Sequence, residues 1–323
     1  MSAAPLLSVK DLSVDFRTRS GAVAVLDRVS FDVEPGEIVG VVGESGSGKS
    51  VTASAIMGIL DKAAEITSGE ILFEGRNLLA MGERERDGWR GGEASIIFQN
   101  PRTALNPIRT AGEQIGDVIA RHVPAAAAAI RARVLDALRQ VRIPDPETRA
   151  RAYPFELSSG MCQRIGIAMA LSCSPKLLIA DEPTTSLDVT TQAVIMDLIR
   201  DLARERNLGA LIITHDLALA AEYCDRIVVM HAGHVVETAG VAELFAHPRH
   251  PYTTKLMRSV PSMADDLCEL QAIAGSMPDL SRNDLPPCRF AERCERRLPA
   301  CDAAPLTLEP AGPFHLVACR NPL

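Results

Sequence analysis

Apolar residues along this chain come in short β-branched runs separated by amphipathic stretches. Residues 6 to 16 and 29 to 42, the latter holding SFDVEPGEIVGVV, alternate or run continuously apolar between Gly and Pro breaks, and predict strands. The second run leads into a glycine-rich segment and then VTASAIMGIL, whose small and apolar residues predict a helix. Another strand, GEILFEG, precedes the charged stretch GERERDGWRGGE and a further strand, ASIIF. From residue 110 to about 152 the period becomes helical, around a run AAAAAI that reads as helix or exposed lead-in because Ala has the highest helix propensity. This segment reads as an inserted helical lobe. A helix over 159 to 171, a strand KLLIAD, a helix TQAVIMDLIRDLARERN, a strand ALIIT, a helix ending near Cys224 and strands RIVVM and HVVET follow. Such alternation predicts an α/β sheet with parallel strands and helices on its faces. Past residue 245 the regularity is expected to stop. Eleven of the 21 prolines lie there, and a boundary is expected near 246 to 262.

Composition narrows the class. With 323 residues, 47% apolar and 23% charged, the chain is unlike a disordered, collagenous or coiled-coil sequence. Its net charge of −7, from 34 Lys and Arg against 41 Asp and Glu, argues against a nucleic-acid binder working through a diffuse basic surface. No run of about 18 apolar residues offers a membrane span. The start, MSAAPLLSVKDLSVDF, has no basic residues ahead of an apolar stretch, so no secretion signal is expected. Eight cysteines are more than structure usually requires, and four crowd into the last 36 residues.

Two segments carry phosphate chemistry. Gly43-Glu44-Ser45-Gly46-Ser47-Gly48-Lys49-Ser50 fits G-x-x-x-x-G-K-[ST] between a predicted strand and a predicted helix. The glycines let backbone N–H groups curl around phosphates, the helix N-terminus adds its positive end, and Lys49 supplies a mobile point charge. Ser50 is the expected Mg²⁺ hydroxyl. The second segment, Leu177-Leu178-Ile179-Ala180-Asp181-Glu182, places two carboxylates at the C-terminal end of a buried strand, where α/β sheets put their ligands. Asp181 suits the Mg²⁺ shell, and Glu182 can polarise an attacking water.

With these two segments in hand, the chain resembles the ATP-binding subunit of an ABC transporter. Gln99 after ASIIF, Leu157-Ser158-Ser159-Gly160-Met161, Pro183, Ser186-Leu187-Asp188 and His215 after ALIIT are similar in order and spacing to the family's Q-loop, signature, D-loop and switch histidine. The resemblance covers roughly residues 6 to 245. FQNPRTALNP, the run from SSGMCQRIG to LDVTTQA, and HPRHPYTTKLMRSVP look like the dipeptide/oligopeptide importers, and the ADEPTT form is similar to their D-type subunit.

The resemblance implies a P-loop NTPase cassette over 6–255, with an N-terminal antiparallel β-subdomain and a helical lobe at about 100–172. A small Cys-rich transporter tail over 256–323 completes it. ATP would lie against Gly43, Glu44, Ser45, Gly46, Ser47, Gly48, Lys49, Ser50 and Val51, with Phe16 stacked on adenine. The competing reading of Phe16 is a core phenylalanine. Ser50, Gln99 and Asp181 would serve Mg²⁺, Glu182 and His215 would be catalytic, and Ser158 and Gly160 would meet a nucleotide held by the partner cassette. Implied partners are an F-type ATPase subunit in a head-to-tail dimer, two membrane permeases and an extracytoplasmic solute-binding protein. The implied location is peripheral, on the cytoplasmic face of the inner membrane. The function implied is energising di- or oligopeptide import. Nickel or glutathione import, export and a soluble non-transport ATPase are the alternatives.

Three features stand apart. Ser159 replaces the first of two signature glycines, and if that glycine needs φ > 0 or close approach to the partner's γ-phosphate, one composite ATP site is expected to be weakened. His231 and His234, and His247 and His250, are paired three apart, a metal-chelating spacing on a helix, but Pro248 and Pro251 are expected to break any such helix. Cys288, Cys294, Cys301 and Cys319 are spaced C-x5-C-x6-C-x17-C in a segment too small for its own core, which suggests a staple. A cytosolic ATPase subunit disfavours disulfides. Zinc, a [4Fe–4S] cluster and free thiols remain, and the family resemblance implies the cluster. Cys162, Cys173, Cys224 and Cys268 lie in or beside predicted helices as small hydrophobes.

Overall fold

The computed structural model describes residues 4–19, 21–185, 187–259, 272–282, 284–303 and 305–323. The chain forms two compact units, one from residues up to 34, 38–79 and 213 onward, the other from 35–37 and 80–212. Cys268 and Ser186 lie outside the described residues.

The first unit opens with a hairpin of β1 (Leu7–Thr18) and β2 (Gly21–Val33). The run expected from 29 to 42 is two elements, because Pro35 has no N–H for a ladder and Gly36 turns the chain at φ 75°. The second element is β3 (Ile38–Val42), buried at all five positions, and it feeds α1 (Lys49–Met57). Next, β4 (Ala64–Phe73) pairs antiparallel with β1, and β5 (Arg76–Asn77) completes a four-stranded sheet ordered β2-β1-β4-β5.

The second unit begins with α2 (Glu83–Trp89), β6 (Ala94–Ile97) and α3 (Pro101–Ala104). The helical lobe follows as α4 (Ala111–His122), α5 (Ala127–Gln140) and α6 (Pro146–Arg149). A capping box starts α4, where Glu113 N–H donates to Thr110 Oγ1 and Glu113 accepts the Thr110 N–H. Two alanines of the Ala run remain outside α5 as an extended, exposed lead-in. Then come α7 (Ser159–Leu171), β7 (Leu177–Asp181), α8 (Val189–Arg206) and β8 (Gly209–Thr214), with β6 and β7 parallel.

Back in the first unit, α9 (Leu217–Tyr223) leads to β9 (Arg226–His231), parallel to β3, and to β10 (His234–Gly240), antiparallel to β9. The expectation that regularity ends near 245 is corrected here. The chain forms α10 (Val241–Ala246), α11 (Pro251–Arg258), β11 (Glu309–Gly312) and β12 (His315–Val317). No helix spans His247 to His250, as Pro248 and Pro251 predict, and Pro251 starts the next helix, since the first helical position needs no N–H, with His250 Nδ1 capping it by accepting the Tyr252 N–H at 3.0 Å. Two of the paired histidines have structural partners: His234 Nε2 is 3.0 Å from Asp27, and His250, fully buried, accepts the Tyr252 N–H and has its pKa pushed down to about 3 by desolvation.

The tail builds onto this unit. β12 pairs with β10, and Cys288, Phe290, Cys301 and Ala318 pack into one core with Val42, Leu217 and Tyr252. Glu237, with no exposed surface, holds three segments by accepting N–H bonds from Arg249 at 2.6 Å and His250 at 3.0 Å and meeting His315 Nε2 at 2.7 Å. A buried carboxylate is tolerated only when so fully bonded. Cys162 is buried in α7, and Cys173 and Cys224 are half-buried beyond the ends of α7 and α9. Among the described residues no helix is long and apolar enough to cross a membrane.

Candidate functional site

The phosphate loop lies between β3 and α1. A Cβ at Gly43 would collide with the Met230 carbonyl, and Gly48 takes φ 100° as the residue that opens α1, so both positions demand glycine. Lys49, only 5% exposed, folds its ammonium back over the loop and donates to the Gly43 carbonyl at 2.8 Å, the Glu44 carbonyl at 3.0 Å and Ser47 Oγ at 3.4 Å. The Ser47 N–H closes a turn onto the Glu44 carbonyl at 3.2 Å. Ser45, Gly46 and Ser50 are exposed, while Val51 is half-buried. With no acidic side chain in the first turn of α1, the positive end of its dipole is left uncompensated from within the helix, which suits an anion.

The acidic pair terminates β7 in the second unit, with Leu177 to Ala180 buried and Asp181 half-buried. Glu182 takes φ 46°, a left-handed conformation that costs a bulky residue about 1–3 kcal/mol and persists only where surroundings impose it. Gln99 Nε2 donates to Glu182 Oε2 at 2.7 Å, and Thr185 Oγ1 donates to the same oxygen at 2.9 Å. Strand register explains the first contact. Ile97 of β6 lies opposite Ala180 of the parallel β7, so Gln99 and Glu182, each two residues further on, come level.

The signature-like segment begins α7. Ser158 is the N-cap and accepts the Met161 N–H at 3.3 Å, and Ser159 is the first helical residue. Ser159 is absent from the positive-φ positions, so the backbone reason for a glycine there does not apply to this chain. Gly160 lies close to α8, where an added Cβ would stand 3.1 Å from Thr191 Cγ2. Asp188 caps α8 by accepting the Thr191 N–H at 3.0 Å. In the first unit His215 is exposed at the end of β8, next to Asp216, which caps α9. Phe16 is half-buried on β1, opposite Val23 and Ala64.

The four tail cysteines form no disulfide with one another; Cys288 and Cys301 are buried, and Cys294 and Cys319 half-buried. Backbone N–H groups serve their sulfurs: Leu298 donates to Cys301 and Asn321 to Cys319, each at 3.4 Å, and the amides of Phe290 and Arg296 favour thiolate at Cys288 and Cys294. Against this, burial pushes the Cys288 thiol up to about 12 and raises Cys294 and Cys319 as well, the neighbouring tail thiols adding to each shift. Among the described residues no group of three or more His, Cys, Asp or Glu is placed to hold a metal ion.

Sequence reasoning missed three residues. Thr185 secures Glu182, Tyr252 Oη accepts the Glu44 N–H at 3.0 Å, and Arg293 grips the Glu44 carboxylate at 2.8 and 3.0 Å. Thr185 was within reach as a hydroxyl three residues after Glu182. The other two carry no local signal, since they lie more than 200 positions from Glu44.

Comparison with known proteins agrees with this geometry. Residues 26–185 match the ABC transporter family and residues 236–301 the oligopeptide/dipeptide transporter C-terminal region. The chain is 47% identical to a probable peptide ABC transporter ATP-binding protein of Sinorhizobium fredii, over 97% of this chain and 94% of that one. It is 46% identical to the dipeptide transport ATP-binding protein DppD of Bacillus subtilis (92% and 89% covered) and 44% identical to that of Escherichia coli (98% and 97%). Among solved structures it resembles a dimeric ATP-binding cassette in a post-hydrolysis state with ADP and Pi, with TM-score 0.66 and 27% identity over 73% of this chain and 98% of that one.

Proposed function

This chain belongs to the ABC transporter family, and from that premise we propose how its residues energise the import of di- or oligopeptides. It is an ATP-binding and ATP-hydrolysing subunit. The observation that carries the peptide reading is the match of residues 236–301 to the oligopeptide/dipeptide transporter C-terminal region. We read residues 6–255 as the cassette and 256–323 as the transporter tail.

Hydrolysis here depends on positioning and electrostatics rather than on covalent chemistry. Backbone N–H groups of the loop and the α1 N-terminus receive the phosphates, and Lys49 turns its ammonium from the loop carbonyls toward the β- and γ-phosphate oxygens. Phe16 offers a ring face to adenine. The donors suit Mg²⁺, a hard cation that takes oxygen ligands: Ser50 presents an exposed hydroxyl and Asp181 a half-buried carboxylate at a strand end. Bound Mg²⁺ would screen the phosphate charge. Glu182 accepts a proton from the attacking water, held for that task by Gln99 and Thr185, and His215 contacts the γ-phosphate. Ser158 and Gly160 serve the nucleotide of a partner cassette, an F-type subunit arranged head to tail. Two permeases, which this chain meets at the cytoplasmic face of the inner membrane, and an extracytoplasmic binding protein complete the assembly. Deleting this chain is expected to abolish uptake of labelled di- and tripeptides, with restoration by the intact gene. Undiminished uptake would sink the peptide reading.

For the four tail cysteines we propose a [4Fe–4S] cluster. Four thiols with N–H donors to sulfur suit a thiolate-bound cluster, and metal binding would offset the burial that otherwise disfavours their ionisation. Cys288, Cys294, Cys301 and Cys319 would hold the group through their thiolates. When bound, the group supplies a cross-link in place of hydrophobic burial. Anaerobic purification is expected to yield iron and sulfide near four per chain, the stoichiometry of the cluster, with thiolate-to-iron absorbance. Stoichiometric zinc without that absorbance would replace the cluster with a zinc staple.

A further inference from the structure

Arg293 joins the tail to the phosphate loop. Its side chain is 6% exposed, and its two terminal nitrogens donate to the two carboxylate oxygens of Glu44 at 2.8 and 3.0 Å. The remaining guanidinium nitrogen, Nε, donates to the Ala274 carbonyl at 3.0 Å, and the group lies 5.7 Å from the Phe290 ring centre. A buried planar fork that donates from all three nitrogens has one orientation, unlike an exposed ion pair worth little.

Glu44 is in turn bonded through its side chain, its N–H and its carbonyl. While its side chain faces the tail, its N–H donates to Tyr252 Oη at 3.0 Å, and its carbonyl takes both the Lys49 ammonium at 3.0 Å and the Ser47 N–H at 3.2 Å. A carboxylate in a loop that receives a triphosphate adds a like charge where anions must enter, and raises the free energy of binding unless a cation cancels it. His231, 3.7 Å from Glu44, does not supply that cation, because burial holds its pKa down to about 3.

We infer that Arg293 is a positioning residue of the ATP site: it cancels the Glu44 charge and fixes the phosphate loop from the tail, so that nucleotide affinity depends on the tail being in place. The inference rests on residues 43–50 being the ATP site, and adds to it a residue 249 positions away from the loop glutamate.

The test titrates a non-hydrolysable ATP analogue into the assembled complex carrying wild type, Arg293→Met, Arg293→Lys, Glu44→Gln, Arg293→Met with Glu44→Gln, or Lys49→Ala. Arg293→Met is expected to weaken the analogue about tenfold, because it leaves the loop carboxylate unpaired. Arg293→Lys keeps the charge without the fork and is expected to stay within roughly threefold of wild type. Adding Glu44→Gln to Arg293→Met is expected to recover affinity, since the unpaired charge is gone. Thermal midpoint and iron content, measured on the same samples, separate loop control from loss of the tail. Unchanged analogue affinity in Arg293→Met, with or without a lowered midpoint or lost iron, would reduce Arg293 to a brace of the tail and overturn the inference. Losses that multiply in the double variant would overturn it too. If Lys49→Ala binds normally, the ATP-site reading itself fails; if only Lys49→Ala loses binding, this inference alone fails.

Discussion

Glu182→Gln is expected to slow ATP hydrolysis by the assembled complex at least ~10²-fold while leaving ATP bound, the loss typical of removing a positioned general base. The amide is the same size as the carboxylate, and its oxygen can still accept from Gln99 Nε2 and Thr185 Oγ1, the two donors that hold Glu182. The left-handed backbone at φ 46° is therefore kept, and thermal stability should not move by more than about 0.5–1 kcal/mol. The change removes the negative charge and with it the ability to take a proton. Single-turnover hydrolysis and nucleotide retention on the same sample check it, and hydrolysis within about fivefold of wild type would exclude Glu182 as the base.

The second large effect lies at Lys49. Lys49→Ala is expected to weaken ATP binding by about 10² or more, since the ammonium is the loop's one side-chain cation and a charged contact to phosphate is among the strongest polar contacts available. The side chain is also buried, at 5% exposure, and donates to three oxygens of the loop itself. The ammonium thus waits on oxygens of Gly43, Glu44 and Ser47 and needs only a short move to reach an incoming phosphate. Stabilisation by ligand follows RT ln(1 + [L]/Kd), about 2.7 kcal/mol at a hundredfold excess over Kd, so wild type should melt higher with ATP and the variant should not. A thermal shift of wild-type size in Lys49→Ala would place the triphosphate elsewhere.

Much of this was legible in residue order because the elements concerned are local. A strand, six loop residues and a helix make the phosphate site within residues 38–57, and no distant partner is needed to specify it. Four apolar residues followed by two acids placed Asp181 and Glu182 at a strand end for the same reason. What failed was regularity beyond residue 245. β12 has three residues and exists because β10 offers it an edge, and α11 begins at Pro251, where a missing N–H costs nothing.

Sequence alone, then, determined the chemistry: a lysine and glycines for phosphate, acids for metal and water, and four cysteines awaiting a staple. Those choices are written in residue type at short spacing, where backbone geometry leaves little freedom. Tertiary structure alone decided how that chemistry is held. Register between β6 and β7 brought Gln99 to Glu182, the backbone bent Glu182 to positive φ, and packing of the tail set Arg293 against Glu44 across 249 residues. Contacts of that reach arise from closing a whole core, in which each side chain's place depends on all its neighbours, and no local spacing records them.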